Sequence, residues 1–153
     1  MLENPCPCCS EKLYKECCHP YIAGESLAPD PETLMRSRYT AFVINDIEYL
    51  KDTWHPETLP EDFDDEPNNW IQLQIIDSDY EDNEGEVEFK AKLIYNNKLE
   101  VLHEVSQFEK VDNRWLYHSG EFKNDGNHIK KIKKSEPCPC NSGKLFKNCH
   151  ANK

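Results

Sequence analysis

The first part of the chain repeats its apolar positions with a helical period. After the segment DPE at 30–32, apolar residues recur every three or four positions, which predicts an amphipathic helix. An aspartate N-cap, a proline in the first turn and an acidic residue beside it favour a helix start at this point. Asn45-Asp46 interrupts the pattern and can cap a second helix, and Pro56 ends the run. The apolar positions are Met35, Tyr39, Phe42, Val43, Ile47, Leu50 and Trp54.

From residue 70 onwards the period changes to two, which is typical of strands that bury one face. Pairs of Asp and Asn separate the alternating segments and predict tight turns, so the strands should form an antiparallel meander. In the third strand, Leu99, Val101, His103 and Val105 share one face, which we expect to be buried. Helices followed by a meander predict an α+β fold: helices packed on a curved four-stranded antiparallel sheet. The turn pairs are Asp82-Asn83, Asn96-Asn97 and Asp112-Asn113.

Two short segments at the ends of the chain share one pattern of metal-ligand residues. Residues 6–18 read CPCCSEKLYKECC and residues 138–150 read CPCNSGKLFKNCH. Both contain Cys-Pro-Cys, then eight residues, then Cys followed by Cys or His, and thiolates and imidazoles are the ligands of tetrahedral zinc. We expect two structural zinc ions, each with four protein ligands and no open position for water. The expected ligands are Cys6, Cys8, Cys17, Cys18, Cys138, Cys140, Cys149 and His150.

Some details of these motifs stay open at the level of sequence. His19 can replace Cys18 as the fourth ligand, although Cys18 aligns with His150. Cys9 has no counterpart in the second motif, so we interpret it as a spare thiol, and Glu11 stands where the second motif has a glycine. All eight cysteines lie in the end segments and no export signal is visible, so metal binding is favoured over disulfides and we expect a cytoplasmic protein.

The net charge of −11 is unevenly distributed. Residues 25–122 carry −16, whereas residues 123–153 hold eight lysines against two acidic residues. An acidic body makes nucleic acid an unfavourable partner, and the basic run at 130–134 is better interpreted as a solvated linker than as a phosphate grip. No apolar run reaches the roughly 18 residues that span a bilayer, so no membrane span is expected.

The cysteine pattern resembles the SEC-C motif, a zinc-binding tail first known from the SecA preprotein translocase, where it docks a chaperone and lipid. With LMRSRYTAF opening the helix, TWHP after it and LHEVSQFEKVDNRWLYHSG closing the sheet, nearly the whole chain resembles the YchJ family. That resemblance implies a nuclear transport factor 2-like cone flanked by SEC-C motifs. We therefore divide the chain into a zinc knuckle at 1–24, a cone-like domain at 25–122, a basic linker at 123–135 and a second knuckle at 136–153.

A cone of this kind often encloses a cavity between its helix and its sheet. Candidate ligand-binding residues are Arg36, Arg38, Tyr39, His55 and His103, with His103 expected to point inward. A satisfied structural role for these residues is the more favoured interpretation. The sequence shows no Gly-rich phosphate loop, nucleophile elbow or HExxH helix, so we assign no catalytic residue.

The sequence supports two main hypotheses of function. The preferred one is a non-enzymatic adaptor whose two zinc knuckles present rigid surfaces to a protein partner. The alternative is a small-molecule-binding or enzymatic cone domain with a pocket near His103. Nucleic-acid binding through Lys130–Lys134 is the weakest hypothesis.

Overall fold

The helices begin and end at their capping residues. Oδ1 of Asp30 accepts a hydrogen bond from the Thr33 amide over 2.8 Å and starts the second helix, which ends at Asn45 in the left-handed region, with φ of 60°. Oδ1 of Asp46 then accepts from the Tyr49 amide over 3.1 Å and starts the third. The predicted helix start and the predicted break are both confirmed. The helices are α1 (His19–Ile22), α2 (Pro31–Ile44) and α3 (Ile47–Asp52).

A computed structural model describes residues 2–61, 69–95, 97–123, 128–138 and 144–148. Within these ranges, no helix is both long and apolar enough to cross a bilayer.

The strands form an antiparallel meander in the order β1-β2-β3-β4, as the sequence predicts. At the β3–β4 turn, Asp112 and Asn113 have φ of 50° and 70°, the left-handed pair that a two-residue hairpin favours. The strands are β1 (Asn69–Glu81), β2 (Glu84–Tyr95), β3 (Lys98–Val111), β4 (Arg114–Phe122) and β5 (His128–Lys131).

The fifth strand is a difference from the sequence prediction, which placed only a basic linker over residues 123–135. β4 pairs with Glu104–Val111 of β3 and leaves the first part of that strand with an open edge. β5 pairs antiparallel with this part, with Lys98 opposite Lys131 and Val101 opposite His128. The basic segment therefore satisfies backbone groups that an unpaired edge would expose to solvent.

One face of the sheet packs against α2 and forms the main hydrophobic core. Val87, Phe89 and Ala91 from β2 contribute to it, as do Leu34 and Met35 from α2. Side chains of the N-terminal cysteine motif belong to the same cluster: Cys6, Cys8, Tyr14 and Cys18. The first motif is therefore part of the helix-bearing side of the body.

The opposite face of the sheet is covered as well. Ile94 has the opposite parity to Phe89 and Ala91 along β2, and it clusters with Ile132, Cys138 and Phe146. Leu99 of β3 packs against this second cluster. The C-terminal motif therefore lies on the sheet face opposite to α2.

The predicted orientation of His103 is wrong. Leu102, Glu104 and Ser106 of β3 lie on the helix-bearing face, where they line a cavity, so His103 between them faces the other side. There its Nε2 lies 2.6 Å from Oε2 of Glu88, and the residue is 7% exposed. Both faces of β3 carry apolar residues, because both are covered. The alternation of apolar and polar residues along β3 therefore does not reveal which face lines the cavity.

Candidate metal centre

The N-terminal motif folds through a short set of backbone contacts. An isolated antiparallel bridge joins Pro5 to Leu13, and the Cys6 amide donates to the Lys12 carbonyl over 2.8 Å. A 3₁₀ turn at Tyr14–Glu16 then delivers the adjacent cysteines to the Cys-Pro-Cys loop. Since Tyr14 is only 4% exposed, the turn is anchored in the main core.

The sulfur atoms of Cys6, Cys8, Cys17 and Cys18 all lie within 4.8 Å of one another. The Sγ–Sγ distance is 3.5 Å between Cys8 and Cys17 and 3.9 Å between Cys17 and Cys18. Tetrahedral zinc with Zn–S bonds of about 2.3 Å places its sulfurs about 3.8 Å apart. The four thiols therefore fit a zinc ion in both number and spacing.

The ionisation of these thiols is shared within the cluster. Hydrogen bonds from Cys18, and next from Cys6, hold the pKa of the Cys8 thiol far below its usual value. Hydrogen bonding with Cys6 and Cys8, together with burial, raises the pKa of Cys18, and burial foremost raises that of Cys17 to about 11. The Cys8 thiolate is stabilised by its neighbours' protons, whereas Cys17 and Cys18 resist ionisation. A divalent cation supplies the positive charge that favours the thiolate form of metal ligands.

Side chains outside the cysteine pattern support the cluster. The Thr40 hydroxyl on α2 donates to Sγ of Cys18 over 3.3 Å, and Oγ of Ser10 lies 3.1 Å from Sγ of Cys17. Arg36 donates to the Cys8 carbonyl over 2.9 Å, which brings a guanidinium to the edge of the cluster. A cation at this position offsets the negative charge of a tetrathiolate.

The structure shows where Cys18, His19 and Cys9 lie, the three residues whose roles the sequence left open. Cys18 contributes the fourth sulfur of the cluster, whereas the His19 ring packs edge-on against Tyr14 with centroids 5.3 Å apart. Cys9 is exposed and its thiol lies 3.5 Å from the Pro7 carbonyl, outside the group of four. Glu11 adopts φ of 73°, a left-handed conformation that suits the glycine of the second motif better.

In the C-terminal motif, Cys138 is described and buried, at 3% exposure. The other expected ligands, Cys140, Cys149 and His150, lie outside the described residues.

The described backbone of the C-terminal motif, residues 136–138 and 144–148, nevertheless repeats that of the equivalent N-terminal residues. A second bridge, a second 3₁₀ turn and the same hydrogen bonds occur at equivalent positions, which supports one local fold for both copies. The bridge joins Pro137 to Leu145, and the turn is Phe146–Asn148. The Cys138 amide donates to the Lys144 carbonyl over 2.9 Å, as the Cys6 amide does to that of Lys12. The Phe146 amide donates to the Glu136 carbonyl over 2.8 Å, as the Tyr14 amide does to that of Asn4.

A cavity of about 230 Å³ lies between α2 and the sheet. Among the predicted pocket residues, Arg38 and Tyr39 line it, whereas Arg36, His55 and His103 do not. Its walls are mainly aromatic, with Glu104 and Ser106 as polar groups that the sequence analysis missed because they alternate with apolar residues on a strand. The lining residues are Met35, Arg38, Tyr39, Phe42, Trp54, Trp70, Phe89, Ala91, Leu102, Glu104, Ser106, Tyr117 and Phe122.

Arg38 is the buried cation of this cavity. Its guanidinium donates to the Leu50 carbonyl over 2.8 Å and to the Thr53 hydroxyl over 2.7 Å, and it lies 4.7 Å from the centre of the Tyr117 ring. Burial lowers the pKa of Arg38 to about 10. Its donors are directed at the end of α3, so the main role of Arg38 visible here is to fix α3 against the sheet.

Glu104 is the partly buried acid of the same cavity. It accepts a short hydrogen bond from the Ser106 hydroxyl. Burial raises the pKa of Glu104 above its ordinary value, although the Ser106 hydrogen bond and the charge of Arg38 act to lower it. The indole Nε1 of Trp70, also in the lining, has no hydrogen-bond partner among the described residues. The cavity thus offers an acid and an unused donor within aromatic walls.

Comparison with known proteins identifies two segments of the chain. Residues 30–120 match a family model described as the YchJ middle NTF2-like domain, and residues 135–152 match the SEC-C motif. A UPF0225 protein of Pectobacterium carotovorum subsp. carotovorum is 39% identical over 159 residues, which cover 97% of this chain and 98% of that protein.

Two solved structures share the fold. The solution structure of a SEC-C motif containing protein from Rhodopseudomonas palustris is 34% identical with a TM-score of 0.73, covering 79% of this chain and 100% of that one. The crystal structure of a SEC-C motif containing protein from Psychrobacter arcticus is 28% identical with a TM-score of 0.68, covering 98% of each chain. By its middle domain, its terminal motif and its similarity along almost the whole length, the chain belongs to the YchJ (UPF0225) family.

Proposed function

We propose that the protein is a zinc-binding adaptor in which two structural zinc knuckles present separate surfaces to protein partners. The observation that carries the proposal is the closed group of four sulfurs in the N-terminal motif, together with the same backbone pattern in the C-terminal motif. Four protein thiols fill the tetrahedral coordination of a zinc ion and leave no position for substrate. A closed site serves folding and presentation rather than metal-centred catalysis.

The exposed side chains of the knuckles are the surfaces that a partner can reach. In the C-terminal motif Phe146 is fully buried, while its neighbour Leu145 is 38% exposed. Lys144 and Lys147 are exposed on either side of this pair. An apolar side chain between two lysines favours a partner segment that is apolar with acidic flanks.

The test of the adaptor role is a comparison of partners captured by three forms of the full chain. Leu145→Glu changes the exposed knuckle side chain, and Ile76→Glu changes a similarly exposed apolar residue on β1, at 44% exposure, as the control. We expect Leu145→Glu to lose partners that wild type and Ile76→Glu retain, with zinc content equal in all three. Identical sets of partners for all three forms would remove the adaptor role.

Metal analysis tests the zinc sites separately. Two tightly held equivalents of zinc are expected in protein purified under reducing conditions, once loosely held metal has been removed. A Cys138→Ser/Cys140→Ser variant should retain one equivalent, because the first motif is complete without the second. Retention of both equivalents by this variant would rule out the C-terminal site.

A second candidate function is the binding of a small, mainly apolar molecule in the cavity. The unused Nε1 donor of Trp70 favours it, because buried donors are normally paired. The volume of about 230 Å³ restricts the ligand to a small one.

Phenol, which offers an aromatic ring and an acceptor oxygen, is a suitable probe, and its addition should shift the Trp70 indole resonance. The same titration of Ala91→Leu, which fills the cavity, should show no shift, and an unchanged Trp70 signal in wild type would contradict this candidate.

A further inference from the structure

A second group of metal-ligand side chains lies outside the terminal motifs. His55, Glu57 and His118 each offer a ligand atom, and these atoms all lie within 4.8 Å of one another. His55 and Glu57 follow α3, and His118 lies on β4. The two imidazole rings face each other edge to face, with centroids 5.2 Å apart. The group thus combines residues that are far apart in the sequence.

Backbone contacts hold the two histidines in place. The His55 amide donates to the Tyr117 carbonyl over 2.7 Å, and the Tyr117 amide donates to the Thr53 carbonyl over 2.8 Å. The Thr58 hydroxyl donates to the carbonyl of His118 itself. The segment after α3 is therefore fixed to β4 by bonds on both sides of the cluster, which gives a preorganised ligand set.

Each imidazole faces a carboxylate. Nε2 of His118 lies 3.3 Å from Oε2 of Glu57, and its Nδ1 lies 3.0 Å from Oγ of Ser119, which orients the ring. Nε2 of His55 lies 3.6 Å from Oε2 of Glu109. Without a metal these are two imidazole–carboxylate contacts near the surface, and contacts of that kind contribute little to stability.

We propose that His55, Glu57 and His118 form a third metal site, which binds a divalent transition ion of the zinc class and keeps a coordination position open to solvent. Two imidazoles and one carboxylate are a ligand set that suits zinc and its neighbours in the first transition row. The imidazoles are partly accessible, with side-chain exposures of 14% for His55 and 29% for His118, so an ion can enter from solvent. The acidic body attracts cations to this position.

One existing contact changes when the metal binds. Nδ1 of His55 accepts a hydrogen bond from the exposed Glu57 amide over 3.0 Å. A metal ligand must offer its lone pair, so binding by this ring rearranges that hydrogen bond, and water can take over the amide. This site differs from the cysteine motifs in its nitrogen and oxygen ligands and in its exposure, so it exchanges metal more readily than they do.

The experiment is a calorimetric titration of the full chain with Zn²⁺, after its cysteine motifs have been loaded and loosely held metal has been removed. Wild type should bind one further equivalent. His118→Gln and Glu57→Gln should each weaken this binding by at least about tenfold. Glu61→Gln, an exposed glutamate of the same segment outside the cluster, should bind as wild type does.

The imidazole ¹⁵N resonances give a second readout that does not depend on heat. On addition of Zn²⁺ those of His55 and His118 should move together, while that of His103 stays in place. The proposal is overturned if wild type takes up no further Zn²⁺, or if a folded His55→Gln/His118→Gln variant takes it up equally well. The result is independent of the adaptor role, because it uses none of the cysteine ligands.

Discussion

The guanidinium of Arg36 donates a hydrogen bond to the backbone carbonyl of Cys8 over 2.9 Å. Its Nε donates to Oε2 of Glu32, one turn earlier on α2, over 3.2 Å. The arginine thus links the longest helix of the body to the loop that supplies two of the clustered sulfurs. Hydrogen bonding with Glu32, and the charge of Cys8, raise the pKa of Arg36 despite the opposing effect of burial.

Arg36→Gln should therefore weaken zinc binding at the N-terminal motif by about tenfold, because it removes both the positive charge and the donor that fixes the loop. Competition with a chromophoric chelator measures the change. The matched control is Arg114→Gln, which removes an exposed ion pair with Asp52, 2.7 Å apart. Equal zinc affinity in both variants would show that Arg36 has no part in the site.

Phe146 carries the contact between the C-terminal motif and the outer face of the sheet. Phe146→Ala should lower the free energy of unfolding by about 3–5 kcal/mol, as removal of a buried aromatic ring generally does. Leu145→Ala, next to it but exposed, should cost less than about 1 kcal/mol. Denaturant unfolding of both variants measures these values, and a similar small loss in each would mean that the motif is not packed on the sheet.

Glu11 adopts a conformation that glycine prefers. With φ of 73° it carries a side chain where the second motif has Gly143, so Glu11→Gly should stabilise the protein by about 1 kcal/mol. Glu16→Gly, placed in the 3₁₀ turn, should instead destabilise it by a similar amount. Thermal unfolding of the zinc-loaded variants distinguishes the two, and a loss of stability with Glu11→Gly would contradict the strain argument.

Glu104 should make stability depend on pH. Burial raises its pKa in the folded protein above the unfolded value, so its ionisation opposes folding. The cost is absent below the unfolded pKa and grows as pH rises through the folded pKa. Glu104→Gln should therefore become more stable relative to wild type between about pH 5 and about pH 8.

Urea unfolding of the wild type and Glu104→Gln at both pH values measures this difference. Zinc loss at the lower pH affects both proteins alike and cancels in the comparison. Glu84→Gln changes an exposed carboxyl on the neighbouring strand, and its free energy of unfolding should equal that of wild type at both pH values. A Glu104→Gln variant that also tracks wild type would indicate that the carboxyl is solvated in the folded protein.

Local signals in the sequence were sufficient for α2, α3 and the strands β1 to β4. The caps at Asp30 and Asp46, the Asp and Asn turns and the two cysteine motifs each act over a few residues, so their effect can be read without the rest of the chain. The α+β class followed from the order of these elements. The same holds for the first cysteine cluster, whose members lie within thirteen residues of chain.

Long-range packing decided what the sequence analysis missed. His103 faces away from the cavity. The outer face of the sheet is also covered, by Ile132, Cys138 and Phe146, so the spacing of apolar residues along β3 did not show which face lines the cavity. Glu104, on the face of β3 opposite to His103, lines the cavity instead. His118 joins His55 only through the pairing of β4 with the segment after α3, which no local pattern reveals.

The pairing of β5 with β3 also determines how the second knuckle is held. β5 is hydrogen-bonded along Lys98–Val101, and the next amide, that of Ile132, donates to Asn97 over 3.0 Å. A terminal segment on a flexible linker samples many orientations and loses this entropy when it binds. Here this orientational entropy is already lost on folding, so the described residues 144–148 of the second motif are held in one orientation relative to the sheet.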